Sequence, residues 1–165
     1  MTRSPTPQPP VADRDVDALM VFDGLCGFCS DSVRMVLKMD ARGIVSFTPI
    51  QSPYGRLLCT RYGLDPDDPS TFLFIDRGRL HVESNAILAL MARMQRPWRW
   101  LAYLSVVPRS WRDAAYRTIA RNRYRLRGRL AACMVPDAAL RARFIEAIPP
   151  DQTKRAAAGP PSCSM

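Results

Sequence analysis

Apolar and polar residues follow one another in blocks along the chain, and these blocks predict a mixed α/β domain. Short apolar or aromatic runs are typical of strands, whereas apolar residues that recur every three or four positions are typical of helices. The order is strand, helix, strand, helix, two strands and a helix. The predicted bounds are 19–22, 26–39, 44–49, 53–62, 70–75, 79–83 and 84–94.

This order of elements favours a particular sheet. Each of the first two strands leads into a helix, which favours parallel pairing by a right-handed crossover. Asp76-Arg77-Gly78 joins the last two strands as a hairpin turn, with Gly78 suited to a positive φ. A β-α-β-α-β-β-α order is that of a thioredoxin-like fold, and we expect that domain to cover residues 17–96.

Beyond Pro97 the pattern is helical. We predict helices over 98–107, 108–124 and 137–148, with a break near Gly128. They form a C-terminal α-helical extension, residues 97–148, which we expect to pack on the same domain. Residues 1–16 and 149–165 are expected to be flexible tails, the first because it is rich in proline.

Positive charge is concentrated in the extension. The formal net charge is +9, and residues 93–143 carry thirteen arginines against two acids. One hypothesis is a binding module for nucleic acid or anionic membrane, with Trp98, Trp100 and Tyr103 at a membrane interface and a basic helical face of Arg117, Arg121, Arg125 and Arg129. The other is a solvated amphipathic helix with the aromatic side chains packed inward onto the sheet. We favour the second, which makes nucleic acid and membrane disfavoured partners.

Length and cysteine usage bear on the compartment. The chain has 165 residues, enough for one domain, and no apolar run near the length of a membrane span. Its N-terminus lacks the apolar segment of a secretory signal, so we expect a cytoplasmic protein. Thiols stay reduced there, and five cysteines are an odd number. A C-x-x-C pair is then catalytic or metal-binding more often than a structural disulfide.

Cys26 and Cys29 form such a pair at a predicted strand–helix junction. The start of a helix stabilises the thiolate, which is the reactive form. We therefore expect Cys26 at the exposed first position to attack a disulfide and Cys29 to resolve the mixed disulfide. A metal or cluster site is the first alternative, and packing is the second. No metal is predicted, because Cys59 and Cys133 are isolated and His81 is the sole histidine.

Asp23 lies three residues before Cys26. Its carboxylate could accept the proton of Cys29, or it could structure the loop beside Gly24 as an Asx-type turn. An anion at this position opposes thiolate formation, so Asp23 is not interpreted as a thiol activator. Both roles stay open at this point.

The stretch from Asp23 to Cys29, DGLCGFC, resembles the D-x-x-C-x-x-C signature of the DCC family of thiol–disulfide oxidoreductases, which have a thioredoxin-like fold. The similarity extends from about residue 19 to 144. It includes the SNAIL stretch that begins at Ser84, the RNRY stretch that ends at Tyr124, and Gly128, Cys133 and Pro136. The resemblance implies a dithiol site at Cys26 and Cys29 that acts on disulfides; the substrates of the family are largely undefined.

Glu83 and Ser84 lie in a second stretch of interest. The sequence ESNAI from Glu83 resembles the E-S-x-A-I stretch of glutathione transferases, where Glu and Ser at a helix start hold the γ-glutamyl end of glutathione. This resemblance implies glutathione as a co-substrate. The simpler interpretation, which we favour, makes Ser84 an ordinary N-cap and Glu83 a strand-end residue.

The proline before the third strand, the remaining cysteines and the histidine also allow predictions. Thioredoxin-like folds place a cis-proline before the strand that faces the active site, but here Ser70 follows Pro69, so substrate handling at that edge should differ. We expect Cys59 and Cys133 to be buried packing residues, and Cys163 to be exposed in the tail. His81 is expected to be a half-exposed strand residue.

Together these patterns predict a protein-disulfide reductase. The expected partners are a protein or small molecule that contains a disulfide and an electron donor that the sequence does not name. No cofactor is expected beyond the dithiol. The alternatives are glutathione-linked activity and a basic binding module with a redox-sensing C-x-x-C. The oligomeric state is not predicted.

Overall fold

The computed structural model describes residues 16–67, 72–131 and 138–150. The eight main elements in chain order are β1 (Ala18–Phe22), α1 (Gly27–Met39), β2 (Val45–Pro49), α2 (Pro53–Arg61), β3 (Leu73–Asp76), β4 (Arg79–Val82), α3 (Glu83–Arg93) and α4 (Arg109–Arg127). Two 3₁₀ segments, Trp98–Val106 and Ala138–Arg143, flank α4.

The strands form one sheet in the order β2-β1-β3-β4. β1 pairs in parallel with β2 and antiparallel with β3, and β3 and β4 form a hairpin. Arg77 (φ 47°) and Gly78 (φ 75°) both have positive φ, as a two-residue type I′ turn requires. The predicted thioredoxin-like fold is confirmed, including the directions of the strands.

Helices cover both faces of the sheet. Alternate residues of β1 point to opposite sides, so Met20 packs with Val33 and Leu90, which belong to α1 and α3, while Val21 packs with Leu58 of α2. Helix α4 lies against α1 and α3. The first turn of α1 and the middle of α4 are thereby brought to the same end of the sheet.

The C-terminal part departs from the sequence prediction. The segment predicted as a helix over 137–148 is a short 3₁₀ turn, Ala138–Arg143, followed by extended chain. Backbone pairing replaces the helix there: the Ile145 N–H donates to the Phe47 carbonyl at 2.8 Å, and the Phe144 ring stacks on the Phe47 ring with centroids 5.4 Å apart. Residues 98–106 are likewise a 3₁₀ segment and not an α-helix.

The aromatic side chains of that segment are not packed on the sheet. Trp98, Trp100 and Tyr103 are 41%, 64% and 74% exposed, and the segment that carries them contacts α3. The predicted inward packing is wrong. Arg121, Arg125 and Arg129 are exposed as expected, while Arg117 pairs with Glu83.

The remaining predictions concern membrane-spanning helices, the tails and single residues outside the site. In the described parts of the chain no helix is long and apolar enough to cross a membrane. The two tails, except Val16, Pro149 and Pro150, lie outside the described residues, as do Pro69, Ser70, Cys133 and Cys163. His81 is half-buried on β4, and Cys59 is buried, both as predicted.

The Cys59 thiol gives the protein a dependence of stability on alkaline pH. Burial raises the pKa of Cys59 from 9.0 to about 11, with Arg56 opposing the shift. A raised folded-state pKa gives stability that is complete below the unfolded pKa and is lost as pH rises through the folded value. Under reducing conditions, denaturant unfolding from pH 7 to 11 should therefore show a fall that begins near pH 9. The fall attributable to Cys59 should reach up to about 2 kcal/mol and be absent in Cys59→Ala; parallel curves for the two proteins would contradict it.

Candidate dithiol site

Cys26 and Cys29 lie at the junction of β1 and α1, where the sequence placed them. Cys26 is the N-cap of α1, and its Sγ accepts the backbone N–H of Cys29 at 3.5 Å. Both cysteines are free thiols. An N–H donor at a helix N-terminus stabilises negative charge that develops on the acceptor sulfur. The strand, loop and helix therefore form a setting suited to thiol chemistry.

The exposure of the two sulfurs is the reverse of the prediction. Cys26 is fully buried, whereas Cys29 is partly exposed. Residues 128–130, here called the cover segment, lie over the Cys26 loop. Gly27 N–H donates to the Gly128 carbonyl at 3.2 Å, and Leu130 N–H donates to the Leu25 carbonyl at 2.7 Å. Cys26 also forms an isolated antiparallel bridge with Arg129.

Two glycines allow this close approach. A Cβ on Gly27 would lie 2.6 Å from the carbonyl oxygen of Arg127, which is closer than side-chain carbons approach backbone. Gly128 ends α4 with φ 70°, a conformation that favours glycine. The sequence predicted a break at Gly128, but it did not predict that the chain after the break covers Cys26.

The pKa of the Cys29 thiol is raised above its ordinary value. Burial and the contact with the Cys26 sulfur raise the pKa of Cys29; Asp23 acts in the same direction, and Arg123 opposes it. The thiol is therefore protonated at neutral pH. A resolving cysteine has this property until its partner sulfur has reacted.

Asp23 is buried and holds the loop before Cys26. Its Oδ1 accepts the Leu25 N–H at 3.0 Å and the Gln51 side-chain N–H at 2.8 Å, while Gln51 Oε1 accepts the Gly24 N–H at 3.0 Å. These bonds form the Asx-type turn that was one of the two predicted roles. Proton transfer from Cys29 to Asp23 stays a hypothesis.

The other oxygen of Asp23 contacts the C-terminal extension. The Tyr124 hydroxyl donates to Oδ2 at 2.5 Å, and Arg123 Nη2 lies 3.9 Å from the same oxygen. Burial and the bond to Asp23 raise the pKa of Tyr124, so the phenol keeps its proton and donates it to the bond. Helix α4 therefore supplies part of the site.

Gln51, Arg123 and Tyr124 were not predicted as site residues. Gln51 follows β2, and the carboxyl ends of the parallel strands β1 and β2 meet at one edge of the sheet, so its position carried a signal. Arg123 and Tyr124 belong to the RNRY stretch already noted, but only the docking of α4 against α1 shows their role.

Glu83 and Ser84 occupy a neighbouring position and are engaged with α4. The Ser84 hydroxyl donates to Asp113 and accepts from Arg112 Nη1, and the Glu83 carboxylate receives both N–H groups of Arg117, at 2.7 and 3.2 Å. Ser84 is not an N-cap: α3 begins at Glu83 without a side-chain cap.

The Ser84 contacts depend on an ionised Asp113. Burial raises the pKa of Asp113, but hydrogen bonds from Ser84 and Arg109 outweigh that effect and hold the pKa below its usual range. A carboxylate is thus kept charged beneath α3, and it fixes α4 to the thioredoxin-like part of the chain. Among the described residues no group of three or more His, Cys, Asp and Glu side chains could hold a metal ion.

Comparison with known proteins adds independent information. The family model for DCC1-like thiol-disulfide oxidoreductase matches residues 20–129. The chain is 35% identical to the uncharacterized protein YuxK of Bacillus subtilis over 77% of this chain and 93% of that protein. It is 34% identical to the DCC family protein At1g52590, chloroplastic, of Arabidopsis thaliana over 73% of this chain and 71% of that protein. No solved structure matches.

Proposed function

The chain belongs to the DCC1-like thiol-disulfide oxidoreductase family, and from this premise we propose that it reduces disulfides through Cys26 and Cys29. The Cys26 thiolate attacks one sulfur of a substrate disulfide, forms a mixed disulfide and releases the other substrate sulfur as a thiolate. The Cys29 thiolate then attacks the Cys26 sulfur. A Cys26–Cys29 disulfide forms, and the second substrate thiolate leaves.

One observation carries this order of attack. The Cys29 N–H donates to the Cys26 sulfur, while burial and the Cys26 contact raise the pKa of Cys29. The contact with Cys26 disappears once Cys26 is bonded to substrate. One of the causes of the raised pKa is then removed, and Cys29 becomes more acidic at the step that requires its thiolate.

Access to Cys26 requires the cover segment to move. Its described backbone contacts with the loop around Cys26 are the two hydrogen bonds to Gly27 and Leu25 and the bridge at Arg129. Gly128 can absorb a large change of backbone angle, because a glycine adopts both signs of φ. We propose that a disulfide substrate displaces residues 128–130 when it reaches Cys26.

Asp23 is proposed to position the loop and not to carry the proton. Both of its oxygens accept hydrogen bonds, from Leu25, Gln51 and Tyr124. Its charge also raises the pKa of Cys29, so it opposes the ionisation that the second step needs. These contacts support a structural role.

The proposed direction of the reaction, reduction of the substrate disulfide, depends on the expected cytoplasmic location of the protein. A cytoplasmic dithiol would act as a reductase, because the glutathione and thioredoxin systems keep that compartment reducing. The substrates would be proteins or small molecules with accessible disulfides. Glutathione at Glu83 and Ser84 is the alternative electron source.

Turnover tests the proposed function. With dithiothreitol as reductant, the protein should accelerate the reduction of insulin disulfides above the rate with dithiothreitol alone, as insulin precipitation monitors. Cys59→Ala should retain that rate, because Cys59 lies on α2 and packs against the sheet on the face opposite α1. A rate that equals the background at every protein concentration would overturn the assignment.

A further inference from the structure

An apolar cavity of about 460 Å³ lies beside Cys29. It is enclosed by the sheet, α1, α3 and α4, and its walls include Phe28, Ile87 and Ile119. Cys29 lines the cavity, whereas Cys26 does not. Cavities of about 300 to 1,000 Å³ are the size that proteins use for small molecules.

Most polar groups of the wall already have partners. Ser84 and Arg112 bond to each other and to their neighbours, Ser32 donates to the Phe28 carbonyl, and Asp23 is fully engaged. Arg123 differs. It is only 7% exposed, and among the described residues its Nε–H has no hydrogen-bond partner. A buried donor without a partner costs free energy, so the guanidinium of Arg123 is incompletely satisfied where the side chain lines the cavity.

Cys29 and the cationic side chain of Arg123 therefore both line the cavity. A ligand that fits must be mainly apolar and must bring an acceptor, preferably an anion, to the neighbourhood of Arg123. Arg123 and Cys29 line the same cavity, and the charge of Arg123 opposes the rise in the pKa of Cys29, so an anion held by Arg123 would lie near the sulfur. A thiolate on an apolar molecule meets all three requirements.

We propose that the electron donor of the oxidised pair is a small apolar dithiol of the dihydrolipoyl type, which binds in this cavity and attacks Cys29. The inference rests on the proposed function, since it concerns how the pair is reduced again. The donor thiolate bonds to the Cys29 sulfur and displaces Cys26 as a thiolate. The second donor thiol then closes its own ring disulfide and releases Cys29. One Cys26–Cys29 disulfide and one dithiol become one dithiol pair and one cyclic disulfide.

The geometry suits each step. The sulfur that faces the cavity is the one attacked, and the departing Cys26 thiolate is stabilised by the Cys29 N–H. Arg123 attracts the incoming thiolate. Protein disulfides would react at Cys26 under the cover segment, and the donor would react at Cys29 from the other side. The two half-reactions thus use different entrances.

The test measures reduction of the preformed Cys26–Cys29 disulfide by dihydrolipoamide and by dithiothreitol, with quenched samples alkylated and analysed by mass spectrometry. A synthetic peptide containing the CGFC disulfide corrects for the intrinsic reactivity of each reagent. The protein should prefer dihydrolipoamide by about tenfold relative to the peptide, the gain from burying about two methylene groups. Octanamide should slow the dihydrolipoamide reaction more than the dithiothreitol reaction.

A pair of matched variants localises the preference. Ile119→Glu places a charge on the cavity wall and should abolish most of the preference, whereas Leu126→Glu, on the same helix at a similarly exposed residue outside the cavity, should retain it. A wild-type preference below about threefold, or its survival in Ile119→Glu, would overturn the inference. Because no protein substrate is present, either result leaves the insulin assay as the separate test of the reductase function.

Discussion

Cys26→Ser is expected to lose disulfide-reductase turnover completely, to the background of dithiothreitol alone. Serine keeps the N-cap but not the sulfur, so the helix forms and the nucleophile is absent. Loss of a nucleophile typically lowers turnover by at least about 10³-fold. Initial rates of insulin reduction measure the effect, and circular dichroism should show an unchanged fold.

Cys29→Ser is expected to fail at a different step. Cys26 can still attack, but no second thiol releases the substrate, so a mixed disulfide with Cys26 should accumulate in one-to-one ratio. Intact-mass spectrometry after reaction with a small disulfide would detect the added mass, and peptide mapping would place it on Cys26. Cys59→Ala should accumulate no such species.

These two variants also decide which cysteine acts first. Since Cys26 is buried and Cys29 is partly exposed, a reversed order has a structural basis in exposure alone. Trapping of substrate on Cys29 in the Cys26→Ser protein, with no trapping on Cys26 in Cys29→Ser, would show that exposure outweighs the helix N-terminus. We expect the opposite, because the Cys29 thiol is protonated in its resting environment.

Local sequence patterns were sufficient for the thioredoxin-like core. The βα junction at Cys26, the hairpin at Gly78 and the apolar run of β1 each follow from short-range rules, and the parallel pairing of the first two strands follows from the crossover rule. The failures lie where tertiary contacts override local preference. Residues after Arg143 do not form the predicted helix, because the Ile145 N–H donates to a backbone carbonyl of β2. No local sequence pattern indicates that pairing.

Part of the candidate site could likewise be predicted from local sequence, and part depends on tertiary contacts. The dithiol and the Asx-type turn of Asp23 lie within a few residues of each other and could be predicted. Tyr124 and the cover segment lie about a hundred residues further along, and their approach depends on how α4 docks. The exposure of Cys26 was predicted wrongly for this reason: the helix start is open in isolation, but residues 128–130 close it.

The C-terminal extension therefore supplies part of the candidate dithiol site. It contributes the hydroxyl that bonds Asp23, the guanidinium beside Cys29, the cover over Cys26 and one wall of the cavity. Its positive charge serves in part to pair acids of the core, as Arg117 does with Glu83 and Arg127 with Asp31. The exposed aromatic side chains of residues 98–103 are not explained by this role.

The buried charges of Asp23 and Arg123 should make Asp23→Asn strongly destabilising. Asparagine keeps an oxygen for the Leu25 N–H, but it removes the negative charge near Arg123, whose side chain is 9% exposed. Breaking a buried ion pair typically costs about 3 to 5 kcal/mol. With charges 3.9 Å apart, we expect the lower end of that range in urea unfolding under reducing conditions. The double variant Asp23→Asn/Arg123→Met should regain about 2 kcal/mol relative to the sum of the single variants.

The same substitution separates the two roles considered for Asp23. A proton acceptor would be lost in Asp23→Asn, and release of substrate from the Cys26 mixed disulfide would slow by about 100-fold. A purely positioning carboxylate has the opposite consequence: removing its charge lowers the pKa of Cys29, because Asp23 is one of the groups that raise it. More Cys29 is then ionised at neutral pH, and release should be unchanged or faster, with its pH profile displaced to lower pH. We expect this second result in stopped-flow measurements from pH 6 to 9. Release of substrate that is slower by about 100-fold in Asp23→Asn would instead establish proton transfer to Asp23.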